Sequence, residues 1–311
     1  MFAVECAHLG RTIEGRDIVH DVTFAVPAGA AFGLLGPNGS GKTTTVRLLT
    51  GLLTPTTGEV KLFGEPVTPG TADRLRQRIG VQTDTNLYEL LSVHDNLAIW
   101  ADLFGIPKAT HAQRIAEVLD IFDLGDRAQS PVGTLSKGMR QKLAVGRAIL
   151  HQPELLFLDE PTAGLDPEAS EELIAYLRTL IDQTRITVVI CTHQLYGLER
   201  LCTQVGFLER GRLKLSGKVD DLIARAWPMA RFTLDVGGQG ERALSLIAGD
   251  VASAEPISGT SIAIELADRE DIAAIVRRLV EAGIPVRSVI PVNRTIHDLY
   301  FDTIVAEGRA A

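Results

Sequence analysis

The sequence predicts an α/β protein built on a parallel sheet, followed by a smaller α+β unit, and three observations carry that reading. Short apolar runs occur at residues 30–35, 155–158 and, opening on Thr187, 187–191, as expected of parallel strands buried on both faces. Helical spacing fills residues 167–183, between the last two runs, which is the rhythm of a βαβ unit. A glycine-rich turn follows the first run at once and leads into helical spacing, giving strand, loop and helix in series.

In chain order, residues 18–26 read as a strand closed by Pro27-Ala28-Gly29, and residues 30–35 as the next. Residues 42–53 read as a helix through Val46, Leu49 and Leu53. From about 96 to 149 the pattern is helical, with Ile115, Val118, Leu119 and Phe122 on one apolar face, so a helical subdomain is expected at about 90–150. After Gly211 the texture changes. Strands are expected at 231–236, 261–266 and 286–292 and a helix at 268–282. The boundary falls near 217–228, giving a first domain at 1–220 and a second at 226–311, with no internal repeat or low-complexity segment.

Apolar residues make up 45% of the 311 and charged residues 23%, ordinary globular usage that allows a sizeable core and argues against disorder. The net charge is −8, with no block of Lys and Arg, so no nucleic-acid or anionic-lipid footprint is expected. The three cysteines, Cys6, Cys191 and Cys202, are widely spaced and expected to be reduced and structural. Glu5 and His8 interrupt the N-terminus where a signal peptide needs an apolar stretch, and no run of about 18 apolar residues occurs. The expectation is a cytoplasmic chain that needs another subunit for any work across a membrane.

Gly36-Pro37-Asn38-Gly39-Ser40-Gly41-Lys42-Thr43 matches G-x-x-x-x-G-K-[ST], whose backbone N–H groups close around phosphate oxygens at a helix N-terminus. Lys42 is expected to reach the β- and γ-phosphates, Thr43 to ligate Mg²⁺, and Thr44 to touch the α-phosphate. The loop establishes nucleotide binding and leaves the reaction open. Downstream, Leu155-Leu156-Phe157-Leu158 ends in Asp159-Glu160. Alternation along a strand points the two carboxylates differently, so Asp159 is expected to hold Mg²⁺ and Glu160 to polarise the attacking water as general base.

Leu135-Ser136-Lys137-Gly138-Met139-Arg140-Gln141 resembles the signature loop of the ABC ATPase family, usually written LSGGQ, and departs from it at Lys137 and Met139. Pro161-Thr162-Ala163-Gly164-Leu165-Asp166 resembles the family's D-loop, and His193 in Cys191-Thr192-His193-Gln194 falls where its switch histidine follows a strand. Five motifs stand in the family's order across residues 1–220. The resemblance implies an ABC ATPase core with an antiparallel β subdomain and a helical subdomain, binding ATP and Mg²⁺. It implies that Ser136 and Gly138 face the γ-phosphate held by a second copy, and that His193 contacts the γ-phosphate in its own copy. Read alone, Ser136 fits a plain N-cap equally well. Ile13 stands where the family stacks an aromatic residue on adenine. The glutamine of the family's Q-loop belongs within residues 82–84, and the segment 79–88 is one residue short of the pattern, so Gln82 and Asp84 are both candidates.

The resemblance further implies an ATPase dimer on a membrane permease, held at the inner face of the cell membrane and closing on two ATP. Coiled-coil members of the superfamily are disfavoured because Lys42 and Ser136 lie only 94 positions apart. Two-cassette translation factors are disfavoured because the chain is acidic and has one phosphate loop. Residues 226–311 resemble the appendage of ATPases that serve ABC-2-type permeases, with a closing helix at 292–305, and this favours export. The alternative is a soluble ATP-dependent switch without a permease.

Overall fold

A computed structural model describes residues 1–83, 86–193 and 201–305. The chain divides into two compact units, Met1–Val219 and Asp220–Asp302. The first opens with β1 (Phe2–Ile13), β2 (Arg16–Pro27) and β3 (Ala31–Leu35), then α1 (Lys42–Leu49), β4 (Thr57–Leu62), β5 (Glu65–Pro66), α2 (Ala72–Arg76) and β6 (Ile79–Gln82). Three helices follow, α3 (Val93–Leu103), α4 (Lys108–Ile121) and α5 (Lys137–Ile149). The unit is completed by β7 (Leu155–Asp159), α6 (Pro167–Thr184), β8 (Thr187–Thr192), β9 (Gln204–Glu209) and β10 (Arg212–Lys218).

Two sheets pack together. β2-β1-β4-β5 is antiparallel, and β10-β9-β3-β8-β7-β6 is parallel except at the β10 edge. Every residue of β3, β7 and β8 is buried, which is why their sequences carry no polar alternation. Val4, Leu9 and Val60 of the antiparallel sheet share one core with Val46 and Leu49 of α1 and with Phe32, Phe157 and Val189 of the parallel sheet. Phe24 stacks on Phe32 across that core, with ring centroids 4.8 Å apart. The sheet order puts the carboxyl ends of β3, β8 and β7 side by side, the usual place for a ligand in an open α/β sheet.

β1 was not expected. His8 has φ 50°, and register with β2 shifts around it, so the inside–outside alternation that marks a strand is broken midway. The helix expected to reach residue 53 stops at Leu49, where the Thr50 hydroxyl donates to the Val46 carbonyl at 2.9 Å and Gly51 turns left-handed at φ 70°. Leu53 still packs on the core from outside the helix. The helical subdomain lies where expected, with Ile115, Val118, Leu119 and Phe122 all buried. The three cysteines are free and buried.

The second unit holds β11 (Ala230–Asp235), α8 (Gly240–Ile247), β12 (Ser253–Pro256), β13 (Ser261–Leu266), α9 (Ile272–Glu281), β14 (Ser288–Pro291) and α10 (Ile296–Tyr300), after α7 (Val219–Ala226) at the boundary. Sheet order β12-β13-β11-β14, antiparallel throughout, is a split βαβ arrangement. Its core is Phe232 and Leu234, Ile262 and Ile264, and Ile275 and Leu279 of α9. The closing helix starts at 296, later than expected, because Thr295 and Asp298 form a capping box there.

One buried titratable group has a consequence for stability. His151 stacks on Phe104 with ring centroids 3.9 Å apart, and its Nε2 meets the Ile79 carbonyl at 3.0 Å. Nδ1 is buried with no partner among the described residues. A second proton would sit on that unpartnered nitrogen, and burial, opposed by the Ile79 carbonyl and reinforced by the Arg114 charge, holds the imidazole below its usual value of 6.5. The unfolded chain therefore binds more protons below that value. The stabilising contribution is complete above pH 6.5 and is lost as pH falls from there through the lowered folded value. In urea titrations at about pH 7.5 and about pH 5.5, His151→Gln is expected to lose less stability on acidification than the parent. Equal losses would show that His151 does not contribute.

Candidate functional site

The glycine loop leaves β3 and ends in α1, whose N-cap is Gly41 at φ 105°. Lys42 is 6% exposed, and its ammonium donates to the carbonyls of Gly36 at 2.8 Å and Pro37 at 3.2 Å. It also lies 3.6 Å from Glu160 Oε1. The Thr43 hydroxyl donates to Asp159 Oδ2 at 2.6 Å. Ile18, Asn38, Gly39, Ser40, Gly41, Lys42, Thr43, Thr44, Asp159 and Glu160 line one cavity of about 370 Å³. A larger and mainly apolar cavity of about 1020 Å³ opens at the opposite ends of β7 and β8, lined by Met1, Phe2, Pro153 and Tyr176 among others. The chemistry, not the volume, identifies the smaller one as the site.

Asp159 is the last residue of β7, and Glu160 lies one position beyond it with φ 51°. Their carboxylates are therefore separated by a left-handed break in the backbone and not by strand alternation. Such a conformation is costly for a residue with a Cβ and collects at functional positions. The Glu160 N–H donates to the Cys191 carbonyl at 2.7 Å. Its carboxylate accepts from the Thr192 hydroxyl at 2.8 Å and the His193 N–H at 3.1 Å, and lies 2.8 Å from His193 Nδ1. Burial raises the Asp159 carboxyl above the ordinary range, against the Thr43 hydrogen bond and with the Glu160 charge.

The structure thus brings Lys42, Thr43, Asp159, Glu160 and His193 together. It does not bring Ile13 to them: Ile13 ends β1, is 38% exposed and is absent from the cavity lining, where Ile18 stands instead. Gln82 ends β6, is 2% exposed, and pairs in register with Leu158, one residue before Asp159. Asp84 and Gln194 lie outside the described residues. Ser136 caps α5 by accepting from the Met139 N–H at 3.2 Å, and neither it nor Gly138 lines this cavity. Sequence reasoning passed over Ile18 and Thr192. Thr192 stands beside His193, and a hydroxyl next to a candidate switch residue was the signal.

The ABC transporter family profile matches residues 19–163, a stretch holding the glycine loop, Ser136 and the two carboxylates Asp159 and Glu160 at the end of β7. The Nod factor export ATP-binding protein I of Ralstonia nicotianae is 37% identical over 268 residues, covering 86% of this chain and 82% of that one. The chain belongs to the ATP-binding subunits of ABC transporters. It is related to the ABC-2-type exporter ATPases, among them the linearmycin resistance ATP-binding protein LnrL of Bacillus subtilis, 34% identical over 75% of this chain and 74% of the relative. Among solved structures, cbiO1 of Clostridium perfringens, part of the ABC transporter complex cbiONQ, superposes with a TM-score of 0.65 at 25% identity, over 72% of this chain and 92% of that one.

This ABC subunit is an ATPase, and its site suits a magnesium nucleotide. Thr43, Asp159 and Gln82 offer only oxygen donors, and both Asp159 Oδ1 and Gln82 Oε1 are buried without a partner among the described residues. Orphaned hard donors beside a phosphate loop are what Mg²⁺ takes, one or two from protein and the rest from phosphate and water. Among the described residues no helix is long and apolar enough to cross a membrane.

Proposed function

We propose that this subunit powers export through a separate permease, two copies closing on two Mg-ATP and reopening on hydrolysis. Lys42 and the N–H groups of Asn38, Gly39 and Gly41 hold the phosphates, with Thr44 at the α-phosphate; Gly36, Pro37 and Ser40 shape the loop, the Gly36 N–H donating to the Thr192 carbonyl and the Ser40 N–H to the Pro37 carbonyl, each at 3.2 Å. Thr43, Asp159 and Gln82 would hold Mg²⁺, which would supply positive charge against the negative charge of the phosphates. Glu160 takes a proton from the attacking water as its oxygen bonds to the γ-phosphorus and the bond to the bridging oxygen breaks. His193 is held against that carboxylate and contacts the γ-phosphate.

The signature loop supports action in trans. A Cβ built on Gly138 would meet Leu165 Cδ2 at 3.6 Å and nothing closer, so the chain's own packing tolerates a side chain there. Glycine in a helix costs ~1 kcal/mol relative to alanine, and its bareness in the first turn of α5 suits an approach from outside. Ser136 accepts from Met139 and keeps its own proton to donate.

The observation that carries the permease reading is a third cavity, of about 560 Å³, lined by Thr50, Leu52, Val81, Thr83, Leu87, Tyr88, Trp100, Phe104 and Arg147 among others. It joins the Q-loop segment to the helical subdomain, where this family receives its membrane subunit. Leu52 and Tyr88 on it are 55% and 50% exposed, apolar surface that suits a protein partner. The relatives named above for Nod factor export and linearmycin resistance favour export. Tagged parent chain purified from detergent-solubilised membranes of its host is expected to bring an integral protein of several spanning helices, and Leu52→Glu to lose it while keeping ATP turnover. A parent recovered without any such protein overturns the permease reading in favour of a soluble switch.

A further inference from the structure

Lys137 departs from the family pattern and opens the first turn of α5. That turn contains no acid, and Arg140 follows three residues later on the same face. Cations there oppose the positive end of the helix dipole, so helix stability does not explain them. Neither residue makes an ion pair among the described residues. Glu172 of α6 is paired with Lys142 at 2.6 Å, and Asp166, the N-cap of α6, accepts from the Ala169 N–H at 2.8 Å. The Lys137 side chain instead runs over Gly164 of the D-loop. Its Cδ lies 3.1 Å from where a Cβ would stand there, with Cε and the ammonium nearer still. An ammonium with no ion pair among the described residues is thus carried at the junction of signature loop and D-loop.

The nucleotide site has the opposite imbalance. Among the described residues Lys42 is the one cation of the cavity lining, and it faces two carboxylates, Asp159 and Glu160. A triphosphate adds further negative charge that Mg²⁺ offsets only in part. We propose that Lys137 of each copy supplies a cation to the terminal phosphate held by the other, making closure selective for a triphosphate over a diphosphate. This role rests on the two-copy reading above and names a residue within it.

The test uses a Glu160→Gln background, in which ATP is not consumed, and sedimentation of the full chain with MgATP or MgADP. Lys137→Met keeps the stem over Gly164 and removes the charge; Lys137→Arg restores the charge. The Met variant is expected to raise the dimer dissociation constant in MgATP at least about tenfold, with the single chain's affinity for MgATP unchanged and a flatter salt dependence. The Arg variant is expected to dimerise within about threefold of the background. Equal dimerisation of the Met variant, or equal losses in Met and Arg, overturns the proposal, the second result assigning Lys137 to packing. A background chain that stays monomeric in MgATP removes the two-copy reading itself, and the role of Lys137 with it.

Discussion

Glu160→Gln is expected to lower ATP turnover by about two to four orders of magnitude, the usual worth of a general base, while MgATP still binds. The amide matches the carboxylate in size, so the loop beyond β7 and its left-handed residue keep their shape. What changes is acceptor capacity. The carboxylate meets the Thr192 hydroxyl at 2.8 Å on one oxygen and the His193 N–H at 3.1 Å on the other, and an amide nitrogen accepts neither. It also removes the charge 3.6 Å from the Lys42 ammonium, which relieves repulsion of phosphate and favours retention of the triphosphate. Phosphate release measured beside fluorescent-nucleotide binding checks both halves. Turnover within threefold of the parent, on the order of 1 kcal/mol or less in the barrier, would remove Glu160 as the base.

The arrangement explains why Glu160 is costly to place and still useful. A residue at φ 51° is held by its N–H to the Cys191 carbonyl at 2.7 Å, a bond that ties the end of β7 to the end of β8. His193 follows β8 directly. The carboxylate and the imidazole are therefore set by two neighbouring strands of one rigid sheet, and α1 fixes Lys42 and Thr43 from the third. Groups positioned by the sheet need little reorganisation when substrate arrives.

Much of this was legible in the sequence because its strongest signals come from burial. β3, β7 and β8 are covered on both faces and read as unbroken apolar runs, and the glycine loop between β3 and α1 carries its chemistry in residue types at fixed spacing. Two of the strands that were missed lack such a signal. β1 is bent at His8, and β12 is an edge strand of largely exposed Ser-Ala-Glu-Pro, whose composition resembles a loop. The left-handed turn at Glu160 has no sequence mark at all, since glutamate is not a residue that announces positive φ. The family resemblance pointed to Ile13, whereas the irregular pairing of β1 and β2 accompanies a lining in which Ile18 of the second strand stands at the loop. Linear spacing does not survive a hairpin with register shifts.

Gly36→Ala is expected to be the most damaging single-methyl change in the site, although Gly36 shows no left-handed φ. The reason is close approach. A Cβ at that position would fall far inside van der Waals contact with the Leu208 carbonyl oxygen, 2.7 Å from Ser40 Oγ and 3.2 Å from the Leu208 carbonyl carbon. Leu208 belongs to β9 and is paired with Leu213 of β10, while Leu35 pairs with Phe207 on the other side, so the carbonyl cannot retreat without opening the ladder. The loop must move instead, and a displacement of about 1 Å at a phosphate cradle costs on the order of a hundredfold in binding or rate. Overpacking adds a stability loss of about 1–3 kcal/mol. Gly39 is the internal contrast: its added Cβ would meet nothing within 4 Å, and only its φ of +78° opposes a side chain, so Gly39→Ala should cost about 1–2 kcal/mol in stability from backbone strain alone. Nucleotide titration together with thermal unfolding separates the two. A Gly36→Ala chain that binds MgATP as tightly as the parent would mean that the loop has slack in solution which its packing against β9 does not allow.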